Sequence, residues 1–165
     1  GLTHVLVDRD GVLNRDVGRP GVVQACQVEA LPGAGAALLR LKRAGVRVSV
    51  ITNQKSVARG LMSHETLAEI HVELLRQLEA QVASELCQSE RLIDAILYSP
   101  GIEAEEAAPC FLRLKPDPAL VEAAVRLHPH TRHREGVGAV ATPKLRGSTK
   151  GAAIVGGNEV RDGQA

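Results

Sequence analysis

Short continuous apolar runs alternate with helically spaced apolar stripes along this chain. The first run, Val5-Leu6-Val7, follows Thr3-His4 and ends abruptly at Asp8-Arg9-Asp10-Gly11. Runs of that length read as buried strands. The second, Val46 to Thr52, is β-branched at Val46, Val48, Val50, Ile51 and Thr52 and is the clearest strand in the chain. Ala95 to Tyr98 reads as a third strand and Ala152 to Val155 as a fourth. Between the first two, Leu38, Leu41 and the alanines of residues 34–44 recur at helical spacing, with Pro32 at the entry and Gly45 at the stop. A longer stripe of Leu67, Ile70, Leu74, Leu75, Leu78 and Val82 predicts a helix from Ser63 to about Glu90, capped by Ser63. His64 and His71 are read onto the exposed face of that helix. A third helix is expected from Asp117 to Leu127, with Asp117 as N-cap and Pro118 in its first turn.

This alternation of strand and helix argues for an α/β fold, a central parallel sheet with helices on both faces. Asn14 to Gln27 reads as a loop, from Gly18, Pro20 and Gly21. Residues 128–150 carry histidine, arginine, proline and glycine without periodicity and read as an irregular insertion. With no internal repeat, residues 1–165 read as one domain. Such a domain ordinarily continues into another helix and strand, so the chain reads as cut short at its C-terminus.

Composition narrows the classes. The chain is 44% hydrophobic, enough for a real core, but Phe111 and Tyr98 are its only aromatics. That scarcity argues against stacking platforms for single-stranded nucleic acid. Lys and Arg total 20 against 19 for Asp and Glu, so bulk charge draws the chain to neither polyanion nor membrane. Cys26, Cys87 and Cys110 make no metal pattern and read as free thiols in a reducing compartment. No stretch reads as a signal peptide or a membrane span. A cytoplasmic protein is expected, or one of an organelle stroma or matrix if a leader was removed before Gly1.

Four strand ends should open into one crevice, where open α/β sheets bind ligands. The first brings Asp8 and Asp10, and the second brings Thr52, Asn53 and Gln54. The loop before the third helix brings Lys115, and the last strand end brings Gly157-Asn158 with Asp162 beyond. A nucleophilic carboxylate, a proton-handling carboxylate, small donors, one cation and a polar pair suited to a metal make a consistent set. Phosphoryl transfer needs such a set, because it is mostly positioning and charge neutralisation.

Asp8-Arg9-Asp10-Gly11-Val12-Leu13-Asn14 resembles motif I of the haloacid dehalogenase (HAD) superfamily. Within it, the chain resembles the small, minimally capped phosphatases of heptose 1,7-bisphosphate and histidinol phosphate. Leu31-Pro32-Gly33 supports this. Thr52-Asn53-Gln54-Lys55-Ser56-Val57-Ala58-Arg59-Gly60 is similar to the family's TNQSGIARG, and Lys115-Pro116-Asp117-Pro118 to its KPxP. The resemblance runs over roughly residues 3 to 127. It implies a HAD-like Rossmannoid three-layer sandwich with a minimal cap, and a Mg²⁺-dependent phosphomonoesterase acting on a small phosphorylated sugar or polyol. Asp8 would then be the nucleophile and Asp10 the acid/base. Thr52, Asn53 and Lys115 would hold the phosphoryl group, with Gln54 and Arg59 toward the substrate. Mg²⁺ would sit on Asp8 and the carbonyl of Asp10, completed by motif IV. The implied protein is a monomer of carbohydrate metabolism whose partner is a small phosphorylated metabolite, not nucleic acid or membrane.

Two departures qualify this. The family's motif IV is typically VGDxxxD. Here Gly156-Gly157-Asn158 through Asp162 is the favoured match, with Asn158 in place of the metal-binding Asp and Asp162 keeping the second acid. A rival register, Ala139-Val140-Ala141-Thr142, puts Thr142 at that position. The Cys-x-His and Cys-x-Cys loop of many relatives is reduced to Cys110, so no structural zinc is expected. His128, His130 and His133 resemble a metal cluster by count alone. Against the phosphatase stand three alternatives: a catalytically impaired homologue that binds ligand or protein, a histidinol phosphatase, and a Rossmann-type nucleotide module, which lacks its GxGxxG.

Overall fold

A computed structural model describes residues 2–101, 119–127, 137–140, 152–155 and 159–162. Its frame is a parallel sheet of β1 (His4–Val7), β2 (Arg47–Asn53), β3 (Ala95–Ser99) and β4 (Val137–Val140), in the order β3-β2-β1-β4. Parallel strands cannot be joined by tight turns, so helices make the crossovers. These are α1 (Ala34–Arg43) between β1 and β2, α2 (His64–Ala80) between β2 and β3, and α3 (Ala119–Leu127) between β3 and β4.

Both sheet faces are covered, as the near-continuous apolar strands require. On one face Val5, Val7, Val48 and Val50 pack with Leu38 of α1 and Leu67, Ile70, Leu74 and Leu78 of α2. On the other, Leu6 and Ile51 meet Leu120 and Ala124 of α3. This is the expected three-layer α/β sandwich. Between β1 and α1 the chain forms an irregular loop with one 3-10 turn, Ala25–Gln27.

Local signals act largely as read. The Ser63 hydroxyl accepts from the Thr66 amide at 3.1 Å and caps α2. Gly45 follows α1, and its amide donates to Lys42 O at 2.9 Å. Gly35 serves a close approach, since a Cβ there would lie 2.3 Å from the Leu78 carbonyl of α2.

Three expectations fail or shift. Helix α2 stops at Ala80 rather than near Glu90, and residues 81–85 form turns. The Gln81 side chain takes the amide of Gly35 at 2.9 Å and donates to Leu31 O at 3.0 Å, which ties this point to the entry of α1. No glycine or proline announces that stop. Residues 128–150 are not wholly irregular, because Val137–Val140 forms β4 beside β1, with Val140 opposite Val7. Glycine and alanine at its centre are weak strand formers, so pairing to the β1 edge, not propensity, makes this strand. Ala152–Val155 is a strand, β5, but it does not join the parallel sheet. It pairs antiparallel with β6 (Glu159–Asp162), Val155 opposite Glu159. Three residues between the two strands are too few for a parallel crossover, so antiparallel pairing is the available one. The Asp117 cap lies outside the described residues. Among the described residues, no helix is long and apolar enough to cross a membrane.

Candidate active site

The site grows from the end of β1. Alternation along the strand puts Val5, Val7 and then Arg9 toward α2 and turns Leu6 toward α3. Past Asp8 the chain curls. The Arg9 carbonyl accepts from the amides of Val12, Leu13 and Asn14 at 3.2, 2.8 and 3.2 Å, and Gly11 N donates to Asn14 O at 2.7 Å. Gly11 has φ +77°, a left-handed conformation that glycine adopts without steric penalty. The Asp8 carboxylate is half-buried, and its Oδ1 accepts from the Arg9 amide at 2.8 Å.

Asp10 is gripped from several sides. Its Oδ1 accepts from Arg9 Nε at 3.2 Å, Arg9 Nη2 at 2.9 Å and Asn14 Nδ2 at 3.1 Å. Its Oδ2 accepts from Arg9 Nη2 at 3.0 Å and Gln54 Nε2 at 2.9 Å. The Asp10 side chain is 28% exposed, whereas that of Arg9 is 1% exposed. A buried guanidinium needs partners for its charge and its N–H groups. Beyond Asp10, Arg9 finds Gln54 Oε1 at 3.0 Å from Nη2 and His71 Nε2 at 3.3 Å from Nη1.

Because arginine can only donate, His71 Nε2 must be the acceptor, and the ring proton then sits on Nδ1. Burial first, then the Arg9 charge, pushes the His71 pKa down to about 4, with Asp10 opposing. His71 is therefore neutral near pH 7.

The second strand end meets the first through Gln54. Register places Val7 beside Val50, so β2 runs on to present Thr52, Asn53 and Gln54 at the level of the Asp8–Asp10 turn. Gln54 Nε2 donates to Thr52 Oγ1 at 2.8 Å as well as to Asp10 Oδ2. Thr52 is 1% exposed, and its hydroxyl, accepting from Gln54, keeps its own proton to donate to an oxygen. Asn53 is half-buried at the end of β2. The end of β3 closes the same mouth, where Gln54 N donates to Ser99 O at 2.8 Å and Ala58 N to Pro100 O at 3.0 Å. From the other side, Ser56 Oγ donates to Pro20 O at 2.7 Å and anchors the loop that follows β1.

The structure thus brings Asp8, Asp10, Thr52, Asn53 and Gln54 together. Gln54, expected toward the substrate, is 5% exposed, and its amide contacts Asp10, Thr52 and Arg9 and ties the two strand ends together. Arg59 is exposed in the turns after β2. Lys115, Asn158 and the rival Thr142 lie outside the described residues. Asp162 ends β6, in the hairpin and not in the parallel sheet. The strand beside β1 is β4, with Val140 opposite Val7. The preference for Asn158 over Thr142 rests on the Asp162 that follows it in sequence.

Two members of the site were missed. His71 is buried against Arg9, not exposed as read; only His64 is exposed, with Nδ1 2.8 Å from the Tyr98 hydroxyl. The signal existed, since Leu67, His71, Leu74 and Leu78 repeat at helical spacing on one stripe. Arg9 was legible from alternation, because the residue two after Val7 must turn toward α2.

No protein-family model matches the chain. It is 38% identical over 125 residues to the D-glycero-alpha-D-manno-heptose-1,7-bisphosphate 7-phosphatase of Mycobacterium bovis, which covers 76% of this chain and 60% of that protein. It is also 38% identical over 77 residues to the D-glycero-beta-D-manno-heptose-1,7-bisphosphate 7-phosphatase of Rhodopseudomonas palustris, covering 47% of this chain and 42% of that one. Among solved structures it is similar to the D,D-heptose 1,7-bisphosphate phosphatase of B. bronchiseptica complexed with magnesium and phosphate. That match has 31% identity and a TM-score of 0.68, and covers 85% of this chain and 70% of the other. The chain spans 60% of the length of the mycobacterial relative.

Proposed function

The chain belongs to the heptose 1,7-bisphosphate phosphatase family of HAD-like phosphatases, and from that premise we propose that it is a phosphomonoesterase hydrolysing a heptose 1,7-bisphosphate-like sugar phosphate through an aspartyl-phosphate. One observation carries the reading. Gln54 Nε2 bridges Asp10 Oδ2 at 2.9 Å and Thr52 Oγ1 at 2.8 Å, so the proton-handling carboxylate and the phosphate-binding strand end form one site.

In the first half-reaction an Asp8 oxygen attacks phosphorus in line. The bond from phosphorus to the sugar oxygen breaks, and Asp10 delivers a proton to that oxygen. In the second, Asp10 takes a proton from water as the water attacks the phosphoaspartyl phosphorus. Inorganic phosphate leaves and Asp8 is restored. Thr52 and Asn53 hold the phosphoryl oxygens, Lys115 neutralises them, and Arg59 reaches toward the rest of the substrate.

The donor set suits magnesium in part. Asp8 and Asp10 supply hard, half-buried oxygen at one strand end. Among the described residues, however, no three His, Cys, Asp or Glu side chains gather, so the set must be completed from elsewhere in the chain. Bound there, the ion would neutralise phosphoryl charge. Its holders would be the Asp8 carboxylate, the Asp10 carbonyl and the motif IV position, Asn158 with Asp162 or Thr142.

The test is turnover of both anomers of D-glycero-D-manno-heptose 1,7-bisphosphate and of histidinol phosphate, with and without Mg²⁺. Release of phosphate that Asp8→Asn abolishes is the expected result; release undiminished in that variant sinks the mechanism. A second reading, binding without efficient turnover, has its own ground: neither Asn158 nor Thr142 carries a carboxylate. It requires stoichiometric binding of the bisphosphate with no phosphate released.

A further inference from the structure

We infer that Arg9 is a positioning residue for the acid/base Asp10, held to that task by the side chains of Gln54 and His71. The inference rests on the proposed role of Asp10.

Neighbouring residues of a strand point to opposite faces, so the side chains of Arg9 and Asp10 would ordinarily diverge. Here three amides converge on the Arg9 carbonyl and curl the backbone just past β1, which brings the two side chains together. The guanidinium then takes the Asp10 carboxylate from Nε and Nη2, touching both oxygens at 2.9 to 3.2 Å. Such multidentate contact fixes orientation as well as distance.

Arg9 does not meet the phosphoryl group itself. It is 1% exposed, and each of its three nitrogens has a protein partner: Nε and Nη2 on Asp10, Nη2 also on Gln54, Nη1 on His71. Its influence on the reaction passes through Asp10.

The surroundings suit that role. Gln54 Oε1 and His71 Nε2 are acceptors aimed at the fork from β2 and α2, so the guanidinium is fixed from two further elements. A protonated His71 would offer no acceptor and would repel Arg9. The site keeps the ring neutral by burying it. Asn14 holds Asp10 Oδ1 from the far side of the turn at 3.1 Å, so the carboxylate cannot rotate without breaking contacts on both flanks.

The experiment separates positioning from mere support by the leaving group. An alkyl phosphate needs a proton on its departing oxygen, whereas p-nitrophenyl phosphate hardly does. Specificity constants, kcat/KM, report the step up to breakage of that bond. We compare a sugar phosphate with p-nitrophenyl phosphate for the wild type, Arg9→Met, Arg9→Lys, His71→Leu, His71→Gln and Asp10→Asn. Arg9→Met is expected to lower kcat/KM on the sugar phosphate by about 10²-fold, within the range of general-acid contributions, and on the aryl ester by less than about tenfold. Arg9→Lys, which keeps charge but not the fork, should resemble Arg9→Met. His71→Leu should show the same selectivity at smaller size, and His71→Gln, which restores an acceptor, should lie near the wild type.

Equal losses on both esters in Arg9→Met, or none, overturn the inference. So does full rescue by lysine. If Arg9→Met does not fold by circular dichroism, His71→Leu against His71→Gln decides, and indistinguishable profiles for that pair overturn it. Asp10→Asn separates the two levels of the argument. Absence of leaving-group selectivity in that variant removes the acid role of Asp10 itself, whereas its presence beside an unselective Arg9→Met removes only the role of Arg9.

Discussion

Two strand ends in this chain look alike in sequence and differ in fate. β1 ends its apolar run in Asp8-Arg9-Asp10-Gly11, and β5 ends its own in Gly156-Gly157-Asn158-Glu159. Both are four residues of strand followed by a stretch of polar residues and glycine. After β1 the chain takes a long route through α1 before β2, and the two strands lie parallel. Only three residues separate β5 from β6, and the two strands pair antiparallel. The lesson is that a polar strand end marks a ligand crevice only when the connection that follows is long enough for a crossover. The run to the next strand carries that information, and the residues at the strand end do not.

The most direct way to break the comparison is at the β1 end. Asp8→Asn should lower turnover of a sugar phosphate by about 10³-fold or more, since no other described carboxylate is placed to replace the nucleophile. A near-native melting curve and circular dichroism spectrum should accompany the loss. Activity within tenfold of the wild type would mean that the β1 end is no more catalytic than the β5 end.

The next effect is on stability and its pH dependence. His71 has its pKa pushed from 6.5 to about 4 in the folded chain, chiefly by burial. Between those values the unfolded chain holds the proton and the folded chain does not. The folded state is therefore fully favoured above pH 6.5 and loses ground as pH falls toward 4, by up to about 3 kcal/mol. Denaturant unfolding across that window, with His71→Gln as the reference, measures it. Equal slopes in the two proteins would show that the ring is not held neutral against Arg9.

How much was legible follows the same division. The region up to Ser99 announces itself, because β-branched runs, a capping serine and helical stripes agree with the packing that results. Asp8, Asp10, Thr52 and Asn53 could therefore be placed in one crevice from sequence. His71 was misplaced because a polar residue was assigned to the solvent side, although its position on the Leu67–Leu74 stripe said otherwise. The linking contacts of Gln54 were not legible, because only the folded structure shows its amide divided among Asp10, Thr52 and Arg9. β4 was hidden for a different reason. Val137-Gly138-Ala139-Val140 has little intrinsic preference for strand, and its pairing with β1 is a non-local event that no window of sequence displays.

The packing that supports the parallel sheet gives a smaller effect. Gly35→Ala would set a Cβ 2.3 Å from the Leu78 carbonyl of α2, a backbone atom that no rotamer change relieves. About 2 kcal/mol of destabilisation is expected, in the range of overpacking at a tight contact, read as a shift in urea midpoint with unchanged slope. An unshifted midpoint would mean that α1 and α2 can separate without cost.

The finest test bears on the hairpin side. The topology puts β4, not β5, beside β1, with Val140 opposite Val7, and that pairing is the ground of the prediction. A carboxylate restored after β4 should act, and one restored in the β5–β6 connection should not. Thr142→Asp is expected to tighten Mg²⁺ binding by about tenfold, because charge count among oxygen ligands sets affinity. Asn158→Asp should leave it within a factor of about two. Isothermal titration with Mg²⁺ alone compares the two without requiring turnover. The reverse ranking would return the site to Asn158 and would require the β5 end to approach Asp8 despite its hairpin. That result would also undo the rule drawn from the two strand ends, because a short return would then have produced a ligand-bearing end after all.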